Sequence, residues 1–340
     1  MNINYNYNGK ENKFVIINKS KNDENVKNNN NSIKKKINQI KDNIKPIIYK
    51  KNLENNNKFI NDKTENSKNP IEEYDDSIMK NSFLHEVNNR ANYKQYKQML
   101  NDKDILTRYN SLNFIISISE TFELRQETIY LAINLFDRCF IKFKSLHNSM
   151  NIKLFVLTCI FIATKYEEIY PPLIEDYHEL FYFPKQDLFK LENFILDEVN
   201  FELHICSPYL FLTKFFYSNT KIESKEILFL AQLILDLSTI SLEFCSLKPS
   251  LQAAICLYLS RYILYKSKSG YKIWTIEYEF NTGYSEIEIK KNIRISLKMI
   301  QQFYKGGLVK DITKTAIFRK YNENKYSCVA KKIREQIHFL

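Results

Sequence analysis

Cysteine, histidine and glycine are the residue types that most often betray chemistry by their spacing. Six cysteines stand at 139, 159, 206, 245, 256 and 328. No two form a Cys-x-x-Cys pair, and five lie within or beside apolar runs. Neither a zinc ribbon nor a disulfide framework is expected from that pattern, and it fits a reducing compartment. The five histidines are equally scattered, which predicts no metal centre. Only five glycines occur, at 9, 270, 283, 306 and 307, and none frames a phosphate-cradling loop. No Ser/His/Asp or Cys/His constellation is apparent. The chemistry is therefore expected to be that of binding rather than catalysis, with no cofactor.

Charge is the next candidate. The 340-residue chain carries +11, which suggests nucleic acid. Residues 1–70, however, hold 15 Lys, no Arg and 7 acids, a net of +8, so the other 270 residues carry only +3. The same tail contains 21 Asn, and such a composition offers too little apolar surface to offset the entropy of ordering. We expect a disordered Asn/Lys-rich tail and no direct nucleic-acid contact by the remainder. The first 20 residues have no apolar signal-like run. The longest apolar run, 154–164, is shorter than the roughly 20 residues of a membrane span, so no membrane partner is expected.

The elements that must position any site read as helices. Leu112, Ile115, Ile116 and Ser119 recur at helical spacing, as do Leu131, Leu135 and Phe136. Residues 154–164 are apolar on nearly every side, the pattern of a helix at the centre of a bundle, although their β-branched content also admits a strand. Pro171 and Pro172 follow, and 185–199 puts Leu188, Leu191, Ile195 and Val199 on one stripe. Ser207-Pro208 opens a further helix, and apolar helices are expected near 224–240, 249–265 and 285–303. Thr164-Lys165-Tyr166 is echoed 96 residues later by Ser260-Arg261-Tyr262, each after an apolar stretch. The order and the echo predict two tandem all-α bundles: 71–203 with an N-terminal helix, 204–310, and a C-terminal extension over 311–340.

Three segments carry a family signature. Ala163 to Pro172 reads ATKYEEIYPP, against A-S-K-F-E-E-I-Y-P-P; Glu127 to Arg138 is similar to E-T-L-x-L-A-V-N-Y-I-D-R; and Leu191 to Leu203 is similar to M-E-H-x-x-L-x-x-L-x-F-D-L. Lys320-Tyr321 through Tyr326-Ser327-Cys328-Val329-Ala330 resembles the ending of the same group. These patterns resemble the cyclin box, closest to that of mitotic, A/B-type cyclins, over residues 73–333. The resemblance implies two tandem five-helix cyclin folds in a protein that is not an enzyme. It implies a regulatory subunit that binds a cyclin-dependent kinase and repositions the kinase's C-helix.

Residue by residue, the family's central kinase contacts match Lys165 and Glu192. Tyr166, Leu196, Phe201 and Leu203 match apolar contact positions. Tyr74 and Ile78 match the N-terminal helix that also touches the kinase, although Asn81 stands where the next aromatic is expected. Arg108 and Asp137 match a buried, fold-holding ion pair. The family's substrate-docking patch departs from its pattern. Its Met and Leu are replaced by Thr107 and Ser111, and its Trp by Phe114, so weak or absent docking is expected there.

In the tail, Lys10-Glu11-Asn12 resembles a degron of mitotic cyclins, which implies ubiquitin-ligase machinery as a partner. Lys34-Lys35-Lys36 and Lys50-Lys51 fit nuclear import, and the resemblance implies a protein of nucleus and cytoplasm. Two other readings share the fold. A cyclin-fold basal transcription factor needs a zinc ribbon and a basic second repeat, and the sequence has neither. A degenerate cyclin serving as a non-activating scaffold is disfavoured by Lys165 and Glu192, while the altered docking patch leaves room for it.

Overall fold

A computed structural model describes residues 70–146, 151–218, 224–266, 270–304 and 312–336, with 70–76 and 334–336 described by backbone alone. The Lys10-Glu11-Asn12 segment, the lysine runs and the expected disordered tail up to residue 69 lie outside the described residues. The chain divides into residues 1–76 and residues 77–340, and both helical bundles fall in the second unit. Of the first unit, only the opening turns of helix α1, Pro70–His85, are described.

After α1 comes a short helix α2, Tyr93–Met99, followed by the first bundle. Its helices are α3 (Asp102–Thr121), α4 (Gln126–Leu146), α5 (Ile152–Glu167), α6 (Ile174–Leu180) and α7 (Lys185–Glu198). Helix α3 starts on a reciprocal cap, Asn101 accepting from the Asp104 N–H and Asp104 from the Asn101 N–H. Helix α5 settles the strand-or-helix ambiguity of 154–164. Every residue from Leu154 to Thr164 is buried in it, so it has neighbours on all sides. It stacks Phe155 on Phe143 of α4 with ring centroids 4.0 Å apart. The chain leaves the helix at Glu168, in extended backbone, before the two prolines are reached.

The second bundle repeats the scheme with α8 (Pro208–Tyr217), α9 (Lys225–Ser238), the single turn α10 (Leu242–Cys245), α11 (Pro249–Tyr265), α12 (Ile276–Thr282) and α13 (Glu286–Tyr304). Ser207 caps α8, accepting from the Leu210 N–H, with Pro208 in the first turn where its missing N–H costs nothing. Helix α11 is the buried centre, packed on α8, α9 and α13. Residues Ile312–Lys314 form a 3₁₀ turn, followed by α14 (Ala316–Tyr321), a second 3₁₀ turn Asn324–Tyr326 and α15 (Val329–Gln336). Helix α14 packs on both α3 and α9, and α15 on α9, so this C-terminal segment touches both bundles. No strand occurs among the described residues.

Two buried carboxylates join the bundles. Arg108 of α3 pairs with Asp137 of α4 in a fork, Nε to Oδ1 and Nη2 to Oδ2, both 2.8 Å, and Tyr93 donates to the same Oδ2. The other Arg108 nitrogen, Nη1, donates to the carbonyls of Thr239 and Ile240, beyond the end of α9. Asp236 of α9 is the second joint. It accepts from Gln126 and Tyr130 of α4 and from Lys320 and Tyr321 of α14, at 2.7–3.1 Å.

Candidate functional site

The terminal turn of α5 and the middle of α7 lie side by side, and each presents one charge. Lys165 reaches Glu192 as a direct ion pair, with Oε1 as acceptor. The lysine side chain is 45% exposed and the glutamate side chain 11%, so the pair sits at a rim with its carboxylate sunk into the bundle. The Lys165 ammonium also stands 4.4 Å from the centre of the Phe161 ring, one turn earlier on α5, which steadies its stem. The lysine occupies the C-terminal turn of α5, where a cation also complements the helix dipole.

The surroundings of the pair are locked from behind. Thr164 is fully buried and shares a hydrogen bond with Tyr177 of α6, 3.1 Å, which fixes the turn that carries Lys165. Glu168 accepts from the Arg125 N–H and the Thr128 hydroxyl at 2.7 and 2.6 Å, so it caps the start of α4 instead of facing outward. Burial pushes the neighbouring Glu167 carboxyl up from its ordinary range, with Glu127 adding to the effect.

Leu196 lies one turn beyond Glu192 on α7, half-buried against the core. The chain then ends the helix with two left-handed residues, Asn200 (φ 52°) and Phe201 (φ 58°). The Phe201 N–H reaches back to the Leu196 carbonyl at 2.9 Å and the Asn200 N–H to that of Asp197 at 3.1 Å, which closes the α7 C-terminus. Arg138 of α4 holds this loop, donating to the Glu202 and Val199 carbonyls. Leu203 packs partly into the core, whereas Phe201 is exposed.

Next to the pair in the chain, Tyr166, Ile169 and Tyr170 follow Lys165 and Phe189 precedes Glu192 by three residues on α7, and all four are exposed. A charged pair flanked by exposed apolar residues suits the capture of a backbone-presenting partner element: a lysine can donate to carbonyls and a carboxylate can accept from N–H groups, while apolar neighbours exclude water.

Against known families, residues 77–204 match "Cyclin, N-terminal domain" and residues 206–335 match "Cyclin, C-terminal domain". The chain belongs to the cyclin family. The second match extends over the C-terminal segment that packs on α9. G2/mitotic-specific cyclin-2 of Medicago sativa is 28% identical over 222 residues, covering 65% of this chain and 63% of the relative. Cyclin-A1-2 of Arabidopsis thaliana is 28% identical over 253 residues, covering 73% and 55%. The chain thus spans about half to two-thirds of the length of the curated relatives it matches. A crystal structure of a viral cyclin from herpesvirus saimiri is 17% identical, covers 58% of this chain and 85% of its own, and aligns with a TM-score of 0.48.

In this cyclin, Lys165, Glu192, Tyr166, Leu196, Phe201 and Leu203 lie on two adjacent helices and the loop that ends the second. Ile78 is exposed on α1; Tyr74 is in α1, where only backbone is described. The former docking-patch positions lie on α3. Phe114 packs edge-on against Phe181 with centroids 5.3 Å apart. Ser111 is buried and donates its hydroxyl to the Thr107 carbonyl. Thr107 likewise spends its hydroxyl on the Lys103 carbonyl. The large apolar side chains that stand exposed on this stretch are Ile105 and Leu106.

The echo at Ser260-Arg261-Tyr262 occupies the equivalent end of the second central helix, but its cation is buried. Arg261 stacks between Tyr278 and Tyr271, ring centres 4.4 and 5.1 Å away, and donates to the Ile273 carbonyl. Only the first bundle offers its lysine outward. Among the described residues no cluster of His, Cys, Asp and Glu is arranged to hold a metal, and no helix is long and apolar enough to cross a membrane.

Proposed function

We propose that this cyclin is the regulatory subunit of a cyclin-dependent Ser/Thr protein kinase and activates it by fixing the rotation of the kinase's C-helix. The observation that carries the reading is the Lys165–Glu192 pair, a half-exposed cation and a buried carboxylate, flanked in the chain by exposed aromatic and aliphatic residues. A kinase transfers phosphate only when its C-helix glutamate pairs with its β3 lysine. A rigid surface that binds only the correctly rotated helix selects that conformer, because a ligand shifts an equilibrium by its differential affinity for the two states. The rigidity comes from Thr164 and Tyr177 behind Lys165, and from Arg138 behind the loop that carries Phe201. Similarity to the G2/mitotic-specific cyclin of Medicago sativa supports a role in cell-cycle control.

The test is to co-express the full chain with cyclin-dependent kinases, purify the complex, and measure phosphorylation of a histone-type substrate. Removing a desolvated charge from an interface costs about 2–5 kcal/mol, so Lys165→Ala with Glu192→Ala should lower binding and activity by about 100-fold or more. Unchanged activity in that double variant overturns the mechanism. Binding without activation by the unaltered chain would favour the scaffold reading instead.

A further inference from the structure

Residues 86–92 join α1 to α2, and they grip the second bundle although α2 leads into the first. Glu86 is buried, and its Oε2 accepts from the Ser250 N–H in the first turn of α11, 3.0 Å away and 164 positions along the chain. Lys248 stands 3.7 Å from Oε1, with its own side chain mostly in water. Three residues on, Asn89 takes left-handed backbone, φ 53°, which asparagine tolerates. Its side chain donates to the His204 carbonyl, in the link between the bundles, and its carbonyl accepts from Asn134 of α4, both at 3.0 Å. Arg90 donates through Nη2 to the carbonyls of Cys245 and Leu247, at the corner between α10 and α11. One short segment holds α4, the inter-bundle link and that corner together.

Upstream of this clasp, α1 leans on the same second bundle. Phe83 packs against Phe211 and Phe215 of α8, with centroids 5.1 and 6.2 Å apart. Ser82 is buried and spends its hydroxyl on the Ile78 carbonyl, while Ile78 and Lys80 are exposed. Residues 77–85 are little more than two turns, too few to stand as a helix by propensity, so they depend on what holds them. A buried carboxylate must be compensated, and Glu86 finds its compensation at the α11 N-terminus. Any other seating of the segment would leave that charge uncompensated, so the clasp admits a single register.

We propose that Glu86 is a positioning residue: by capping α11 it fixes the end of α1 on the second bundle, and so sets the α1 face that carries Ile78. A kinase bound as described above would then meet a bipartite surface, with Lys165 and Glu192 placed by the first bundle and Ile78 placed by the second. That consequence rests on the proposed function, whereas the seating of α1 by Glu86 does not.

The experiment is hydrogen–deuterium exchange of the full chain, comparing residues 77–85 with the centres of α5 and α11. Glu86→Leu keeps the bulk and removes the acceptor; it should speed exchange over 77–85 by about tenfold or more while α5 and α11 keep their protection. Glu86→Gln retains an oxygen for the Ser250 N–H and should recover most of the protection. Unchanged exchange over 77–85 in Glu86→Leu overturns the proposal, because Phe83 would then hold α1 alone. An equal rise in α5 and α11 overturns it too, by making Glu86 a residue of global stability. So does a Gln variant as fast as the Leu variant, since the bond to Ser250 would not be the cause. With a kinase bound, Glu86→Leu should raise the cyclin concentration for half-maximal activity severalfold and leave the saturated rate unchanged, because only the population of the seated α1 has fallen. Unchanged affinity alongside faster exchange overturns the bipartite surface. If the unaltered chain binds no kinase, the functional reading fails, and the exchange result still decides the role of Glu86.

Discussion

The most consequential residues in this chain are paired charges at long sequence separation. Arg108 and Asp137 lie 29 residues apart, and both are removed from water. Asp137→Ala would leave a buried guanidinium with two carbonyls and the Cys245 sulfur but no counter-charge, at a cost of about 3–5 kcal/mol; urea denaturation of the full chain measures it, and a loss under 1 kcal/mol would deny the pair its structural weight. Glu120, at the end of α3, is the opposite case. Its Oε1 is buried with no hydrogen-bond partner, and desolvation pushes its carboxyl up to about 7, against the pull of Arg319, Lys320 and Lys325 and with a push from Glu323. In the unfolded chain the group titrates near 4.5. The folded state therefore holds the extra proton, and stability falls as pH rises from about 4.5 through 7. Glu120→Gln should match the unaltered chain near pH 4.5 and exceed it at pH 8. The carboxyl is only partly shielded from water, so the gain is about 1 kcal/mol, seen as a rise in melting temperature of a few degrees at pH 8 alone. Lys165, Glu192, Arg108 and Asp137 were legible because each stands inside a recognisable motif. Asp236 was not, and Lys320 was legible only as the first residue of the family ending, not as a buried cation. An aspartate in an apolar helix carries no sign of its partner, and only the fold joins it to Lys320, 84 positions further along the chain, in one bond.

At the scale of elements, the helices with a strong pattern were the easily read ones. The apolar run 154–164 requires neighbours on every side, and α5 has them. The stripe over 185–199 became α7, and the expected helices near 224–240, 249–265 and 285–303 became α9, α11 and α13. The short elements α2, α6, α10, α12 and α14 were missed because four to seven residues hold too few turns to display a period. The end of α7 shows why element and site are coupled. Two consecutive left-handed residues close it, and the second is Phe201, a bulky side chain at φ 58° that such backbone disfavours by roughly 1–2 kcal/mol. The exposed ring does not repay that strain through the core. Phe201→Gly should therefore leave thermal stability unchanged or raised by up to a few degrees, while weakening association with the proposed kinase partner by about tenfold. A variant that loses stability and binding together would show that Phe201 serves the fold instead.

For the molecule as a whole, the question is what makes two helical bundles respond as one. The contacts converge on Asp236, whose single carboxylate accepts from the first bundle through Gln126 and Tyr130 and from the C-terminal segment through Lys320 and Tyr321. Gln126 also accepts from Lys320, so the three parts close a ring of bonds in a region with almost no water access. Burial and the Asp236 charge both raise the Tyr130 and Tyr321 hydroxyls well above their ordinary range, which keeps them as donors at every physiological pH. A ring of this kind is non-additive. Lys320→Met leaves the carboxylate unpaired, and Asp236→Asn leaves the ammonium unpaired, so each should cost about 3–5 kcal/mol. The double variant, with neither charge, should cost at least 2 kcal/mol less than the sum of the two. The measurement is a double-mutant cycle from urea denaturation followed at two signals, helical circular dichroism and the fluorescence of Trp274 in the second bundle. In the unaltered chain the two signals should fall together, since the ring makes either bundle costly to unfold alone. In Lys320→Met they should separate, with the tryptophan signal and the overall helicity changing at different urea concentrations. Additive costs with coincident transitions in every variant would mean that apolar packing between α4 and α8, and not Asp236, couples the halves.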